Sequence, residues 1–136
     1  LDLAADGASV SLAWTDSTLD VHHGHVVLVD EHLYGSNWIS NRKGNWACIN
    51  WNTGTPTYET EGENKGSIIY ADGMPYWYDE NDGVLGLVKA TPEKFDVVSQ
   101  FKVPLGKGPV WAHPAISGGK LYMRRGEGLM VFDIKK

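Results

Sequence analysis

The sequence predicts an all-β protein assembled from repeated four-stranded units, and three observations lead there. No window of helical length carries an apolar stripe at i, i+3 and i+4. Short runs rich in Val, Ile, Tyr and Trp recur instead, bounded by Gly, Asn, Asp and Pro. Asp72-Gly73, Asp82-Gly83 and Gly118-Gly119 supply the positive φ angles that tight hairpins demand. A strand–turn–strand pattern also returns with Tyr34, Tyr76 and Tyr122 at the same place, at intervals of 42 and 46 residues.

The elements follow in chain order. Strands are expected over residues 9–14, 25–30, 32–38, 45–51, 56–60, 66–71, 74–79, 84–90, 96–102, 112–117, 120–125 and 129–134. Val29-Asp30-Glu31-His32-Leu33-Tyr34 aligns with Ala71-Asp72-Gly73-Met74-Pro75-Tyr76 and with Ser117-Gly118-Gly119-Lys120-Leu121-Tyr122. A second register agrees: Gly44, Gly83 and Gly128 each follow a polar hairpin and open an apolar strand. Four short antiparallel strands in a unit of about 40–45 residues describe a propeller blade.

The chain then divides as a single partial β-propeller of about three blades. Residues 1–20 hold the outer strand of a preceding blade, 21–62 one blade, 63–106 a second, and 107–136 three strands of a last one. An orphan outer strand and an open third-strand edge are both liabilities in solution. They are also complementary, so 9–14 of one copy is expected to complete the last blade of another, in a ring of chains.

Composition limits what such a chain can do. Its 136 residues are 42% hydrophobic and 21% charged, with 16 Gly, which excludes a disordered tail, a coiled coil and a collagen-like chain. No apolar run approaches the roughly 18 residues of a membrane span. Residues 1–6 show neither the basic start nor the apolar core of a secretory leader, and the first residue is not Met, so a longer or processed parent is expected. Twelve Lys and Arg against 17 Asp and Glu give a net charge of −5, which disfavours nucleic acid. The basic pairs Arg42-Lys43, Arg124-Arg125 and Lys135-Lys136 are too short to reverse that. Cys48 is the one cysteine and lies in an alternating apolar strand, so it reads as a buried structural thiol.

The run Trp46-Ala47-Cys48-Ile49-Asn50-Trp51-Asn52-Thr53-Gly54-Thr55-Pro56-Thr57-Tyr58-Glu59 resembles the blade motif of quinoprotein propellers. In that family an apolar strand ends in Ala-x-Asp, a Thr-Gly turn follows, and a Trp lies on the outer strand. Ala47 and Thr53-Gly54 match, Asn50 stands for the Asp, and Tyr58 stands for the Trp. Val131-Phe132-Asp133-Ile134 repeats the strand end, and Trp14 fits the outer-strand aromatic. The chain is similar to the C-terminal portion of PQQ-repeat, quinoprotein alcohol dehydrogenase-like proteins. Bacteroidetes-type periplasmic members with His-His-Gly before an apolar strand and an ending near Asp-Ile-Lys are particularly similar. The resemblance implies a periplasmic or secreted location and, as one reading, a PQQ cofactor with calcium.

Blade geometry says where chemistry would gather, because the segments leading into the inner strands converge at one end of the channel. Those segments are His22-His23-Gly24, Asn64-Lys65-Gly66 and Trp111-Ala112-His113-Pro114. They predict a binding pocket rimmed by His22, His23, Asn64, Lys65, Trp111 and His113, against the plainer reading of solvated loops. No metal is expected: His22, His23 and His25 lack a metal-ligand spacing, and His23 with His113 lacks a third, acidic donor. Residues 79–83 fail as a calcium loop and read as a hairpin turn. Gly106-Lys107-Gly108 and Gly118-Gly119-Lys120 are too short to cradle phosphate.

Sugars stack on aromatic faces, which makes Trp38 with Asn37 and Asn41, and Trp77 with Tyr76 and Tyr78, candidates for carbohydrate recognition. Packing between blades is the expected role for most such residues, so the six Trp count first as evidence for the fold. A catalytic quinone site would need acidic ligands, yet none occurs in the three segments, and the nearest, Asp20 and Glu63, lie in linkers. The expected function is therefore a non-catalytic binding or scaffold propeller for a small polar ligand or peptide. The alternatives are a PQQ oxidoreductase with its site in other blades, and a carbohydrate-binding propeller.

Overall fold

Apolar residues alternating between turn signals produce thirteen strands and, among the described residues, no helix. The computed structural model describes residues 1–61 and 64–135. The linker acid Glu63 and the terminal Lys136 lie outside them. The strands are β1 (Asp2–Leu3), β2 (Val10–Ser11), β3 (Val27–Val29), β4 (His32–Ser36), β5 (Trp46–Asn50), β6 (Pro56–Thr60), β7 (Gly66–Ala71), β8 (Met74–Asp79), β9 (Val84–Lys89), β10 (Asp96–Lys102), β11 (Ala115–Ser117), β12 (Lys120–Arg125) and β13 (Gly128–Asp133). They form antiparallel sheets in the orders β3-β4-β5-β6, β10-β9-β8-β7 and β11-β12-β13, plus the two-stranded β1-β2.

Each sheet is a chain-ordered meander, and the repeat is visible in its register. Tyr34 faces Cys48, Tyr76 faces Leu87, and Tyr122 faces Val131. The sheets pack face to face in sequence. Between the first and second lie Tyr34, Trp46 and Cys48 against Ile68, Trp77 and Val88, all buried. Phe95 stacks on Trp46 at 5.4 Å between ring centroids, with the rings only 15° apart. Gly86 is required beside this stack, since a Cβ there would enter the Trp77 indole. Between the second and third sheets lie Tyr78 and Leu85 against Leu121, Met123 and Met130. The middle sheet is thus buried on both faces, which is the layering of a partial β-propeller.

Three strands differ most from expectation, the others matching it to within two residues at either end. The strand expected over 9–14 is only Val10–Ser11, and it is not an orphan: Ser11 pairs with Asp2 and Val10 with Leu3. Asp6-Gly7 turns the chain, with Gly7 at φ 70° and its amide donating to the Ala4 carbonyl at 2.8 Å. A pairing partner of two residues is too short for alternation to reveal. The strand expected to complete another copy's last blade thus already has a partner along one of its two edges. The first inner strand starts at Val27, because 22–25 are drawn into the ring cluster described below. The third inner strand starts at Ala115, because Pro114 has no N–H to give to a ladder.

Candidate functional site

The lead into β3 is shaped by a clamp between the first two blades. Ser36 Oγ donates to the Gly66 carbonyl at 2.9 Å and accepts from the Gly66 amide at 3.0 Å. Gly24 packs directly over this clamp, where any Cβ would collide with the Gly66 carbonyl. The close approach holds the backbone of 22–25 down and leaves His22 and His23 exposed.

Rings from three segments meet there. His22 and His23 lie 3.9 Å apart between centroids, with Trp38 at 6.0 Å from His22 and Trp111 at 5.3 Å from His23. His25 stacks on His113 at 4.5 Å. His113 Nε2 donates to the His23 carbonyl at 2.7 Å, across 90 residues of sequence. A carbonyl can only accept, so the proton on that ring sits on Nε2. Burial, and then the neighbouring His113, hold His25 below the ordinary histidine range. Its Nδ1 has no hydrogen-bond partner among the described residues.

Asn64 and Lys65 are placed differently. Asn64 Nδ2 donates to Asp79 at 3.0 Å and Asp82 at 3.3 Å, and its carbonyl accepts from the Trp46 indole at 2.9 Å. Lys65 is only 2% exposed. Its ammonium is ion-paired with the Glu80 carboxylate and reaches the Asn41 carbonyl at 3.4 Å. Glu80 is tied further by its own backbone, its N–H donating to Lys65 at 3.1 Å and its carbonyl accepting from Val110 at 2.7 Å. Lys65 is thus buried, with its charge answered from within the protein.

Lys65's partners Asn41 and Glu80 line a groove of about 590 Å³, walled also by Arg42 of the first blade, Asn64, Asn81 and Asp82 of the second, and Gly108, Pro109 and Trp111 of the third. Its walls are stitched together. Asn81 Nδ2 donates to the Arg42 carbonyl at 3.1 Å, and the Arg125 guanidinium donates to the carbonyls of Asn81 at 3.4 Å and Gly108 at 3.3 Å. The Asp79 carboxylate accepts from the amides of Asn81 and Asp82, which makes 79–83 the turn expected of it. Trp111 is 60% exposed and joins the groove to the histidine cluster.

The structure therefore brings His22, His23, Trp111 and His113 together, places Asn64 in the adjoining groove with Trp111, and buries Lys65 against the groove residues Glu80 and Asn41. Arg42, Glu80, Asn81, Asp82 and Arg125 were not foreseen as part of the site. The hairpins between second and third strands leave the sheet at the same end as the leads into the inner strands. That geometric rule, applied to the polar stretches 40–44 and 79–83, is the signal that would have found them. Trp77 and Tyr78 are core, so no sugar stacks on them.

Among solved structures, BamB from Moraxella catarrhalis matches this chain with a TM-score of 0.52 and 15% identity. The match covers 80% of this chain and 43% of that one, so the chain spans less than half the length of that structure. A likeness at this identity shows the fold alone. No protein-family model matches the chain, and no curated protein does.

Proposed function

We propose that this chain is a non-catalytic binding or scaffold propeller that takes a small polar ligand or peptide at its channel mouth. The observation that carries the reading is the groove itself. Its polar walls come from three blades and are cross-bonded before any ligand arrives, while the Trp111 indole stands exposed beside them. Pre-fixed donors and acceptors beside one flat apolar surface suit a ligand that is polar at its edges and apolar on a face. Trp111 lines the same groove as Asp82 and Asn81, which favours a hydroxylated ring within that class, so carbohydrate recognition is the second reading, with the exposed Trp38 as its other candidate ring. A periplasmic or secreted location goes with both.

A quinone cofactor with calcium would need a set of cation donors. Among the described residues no three His, Cys, Asp or Glu side chains gather as one. At the mouth, Asp79 and Glu80 are engaged with Asn64 and Lys65. The PQQ oxidoreductase reading therefore keeps its main site in blades other than these.

Ligand-observed NMR against short peptides and oligosaccharides tests the proposal. Compounds that bind the parent chain should lose at least about tenfold in affinity to Trp111→Ala and to Asn81→Ala. The Trp111→Ala fold should stay within about 0.5 kcal/mol, as expected of an exposed position. Binding that survives both substitutions sinks the mouth groove as the site.

A further inference from the structure

We infer that the mouth groove takes a short zwitterionic peptide with both ends free, its ammonium at Asp82, its carboxylate at Arg42 and its side chain on Trp111. The inference rests on the groove being the binding site, and it names the chemistry of the occupant. A volume of about 590 Å³ lies in the range of small-ligand sites. If compact, such a space is roughly 8 Å across, the span of about two to three extended residues.

Most of the charge around the groove is already spent within the protein. Asp79 accepts from the amides of Asn81 and Asp82 and from Asn64 Nδ2. Glu80 is paired with Lys65. Asn81 Nδ2 is used on the Arg42 carbonyl, and Arg125 on the carbonyls of Asn81 and Gly108. Two charges of the lining residues are left over. Asp82 is exposed, and its side chain receives only Asn64 Nδ2, at 3.3 Å. Arg42 is exposed, and its guanidinium makes no hydrogen bond within the described residues. Neither enters any of the four ion pairs among those residues.

The two leftover charges are opposite in sign and belong to different blades of one groove. A ligand of single charge would answer one and be repelled by the other. A zwitterion answers both, with charge-assisted hydrogen bonds at each end. The planar guanidinium of Arg42 suits a carboxylate, which it can meet with two parallel N–H donors. Beside Asp82, the Oδ1 atoms of Asn64 and Asn81 carry no hydrogen bond within the described residues, and an ammonium has three donors to place. Pro109 and the exposed Trp111 indole form the apolar remainder of the wall, where an aromatic side chain of the peptide has a face to stack on.

Calorimetry on the 136-residue chain tests this with glycyl-phenylalanine and phenylalanyl-glycine, each also in an N-acetylated and a C-amidated form. At least one free dipeptide should bind one-to-one, and either cap should weaken it at least about fivefold, because a charge-assisted hydrogen bond goes with the charge. Asp82→Asn, which keeps an acceptor for Asn64, should weaken the free dipeptide by a similar factor and leave the N-acetylated form unchanged. Arg42→Gln should weaken the free dipeptide and leave the C-amidated form unchanged. Both positions are exposed, so thermal melts of the two variants should match the parent. Absence of binding by both dipeptides overturns the inference. So do caps without effect, or substitutions that act equally on capped and free peptides. Two results separate it from the reading on which it rests. Binding of the neutral trisaccharide maltotriose in place of the dipeptides, lost in Trp111→Ala, keeps the groove and overturns the zwitterion. Dipeptide binding that ignores Trp111→Ala, Asp82→Asn and Arg42→Gln moves the site elsewhere and overturns both.

Discussion

The indole N–H of Trp14 donates to the carbonyl of Trp51 at 2.8 Å, and the Trp14 ring lies directly against Gly54. Trp51 completes the contact by meeting the same ring edge-on at 6.0 Å. The segment after β2 is thereby fastened to the β5–β6 turn, so the N-terminal hairpin is held to the first full blade through one aromatic side chain. Gly54 is needed twice, for its φ of 71° and for the space the indole occupies.

Gly73 separates those two requirements. It has φ 79° but nothing near the place of its missing Cβ. Gly73→Ala should cost about 1 kcal/mol from backbone conformation alone, and Gly54→Ala roughly 2–3 kcal/mol because the methyl also displaces Trp14. In a double-mutant cycle with Trp14→Ala, the excess at Gly54 should vanish, while Gly73→Ala should be unaffected. Equal costs at the two glycines would show that the indole contact is slack.

Lys65 and Glu80 form a buried pair that is expensive to break and cheap to replace. Lys65→Met strands a carboxylate at a position only 5% exposed and should destabilise by about 3–5 kcal/mol. Adding Glu80→Leu should recover most of that loss, because the desolvation of both charges is then removed together. Denaturant melts of the two single variants and the double check this. A double variant as unstable as Lys65→Met alone would mean that Glu80 matters chiefly through its neighbours.

The contrast between these positions explains which features the sequence exposes. The spans 56–60, 66–71, 74–79, 96–102 and 120–125 emerge as strands with the expected ends, since apolar alternation runs up to a turn residue on each side. The 9–14 run misleads because its partner is two residues long and lies before it. The site is harder to read, because its bonds are long-range. Lys65 looks like a free cation until the turn at 79–83 brings Glu80 under it. Trp77 is open to either a packing or a stacking role in the sequence, and a sheet on each face of its own settles it as packing. Alternation tells two faces apart, but when both are buried it no longer tells which aromatic meets solvent.

Cys48 should behave as an inert thiol. Burial pushes it up, outweighing the hydrogen bonds to Thr57 and Tyr34 that pull it down. Since the thiolate is the reactive form, a disulfide reagent at pH 8 should modify the folded chain on the order of 100-fold more slowly than the unfolded one. One equivalent should then appear on unfolding. Rapid labelling of the native protein would place the β5 core in frequent exchange with open states.

His25 gives the fold an acid-sensitive seam between the first and third blades. Its neutral ring stacks on His113, and it is held below its ordinary value of 6.5 by burial first and by His113 second. The ring cluster of His22, His23, His25, Trp111 and His113 holds, among the described residues, no carboxylate to offset an added positive charge. The sign follows from which state binds more protons. Between the lowered folded value and 6.5 the unfolded chain is the more protonated, so stability rises with pH across that interval. The contribution is complete above 6.5 and disappears as pH falls through the folded value. Asp96 has its own lowered value, set by Lys94 and Lys89, and loses its contribution only in the carboxylate range, a separate and more acidic window. Melting the parent chain and His25→Phe from pH 7.5 down to 5 should therefore show a downward slope below pH 6.5 in the parent and a flatter line in the variant, which keeps the stack on His113 without a titrating ring. Identical slopes would assign the acid sensitivity to other histidines and leave the His25–His113 contact a packing detail.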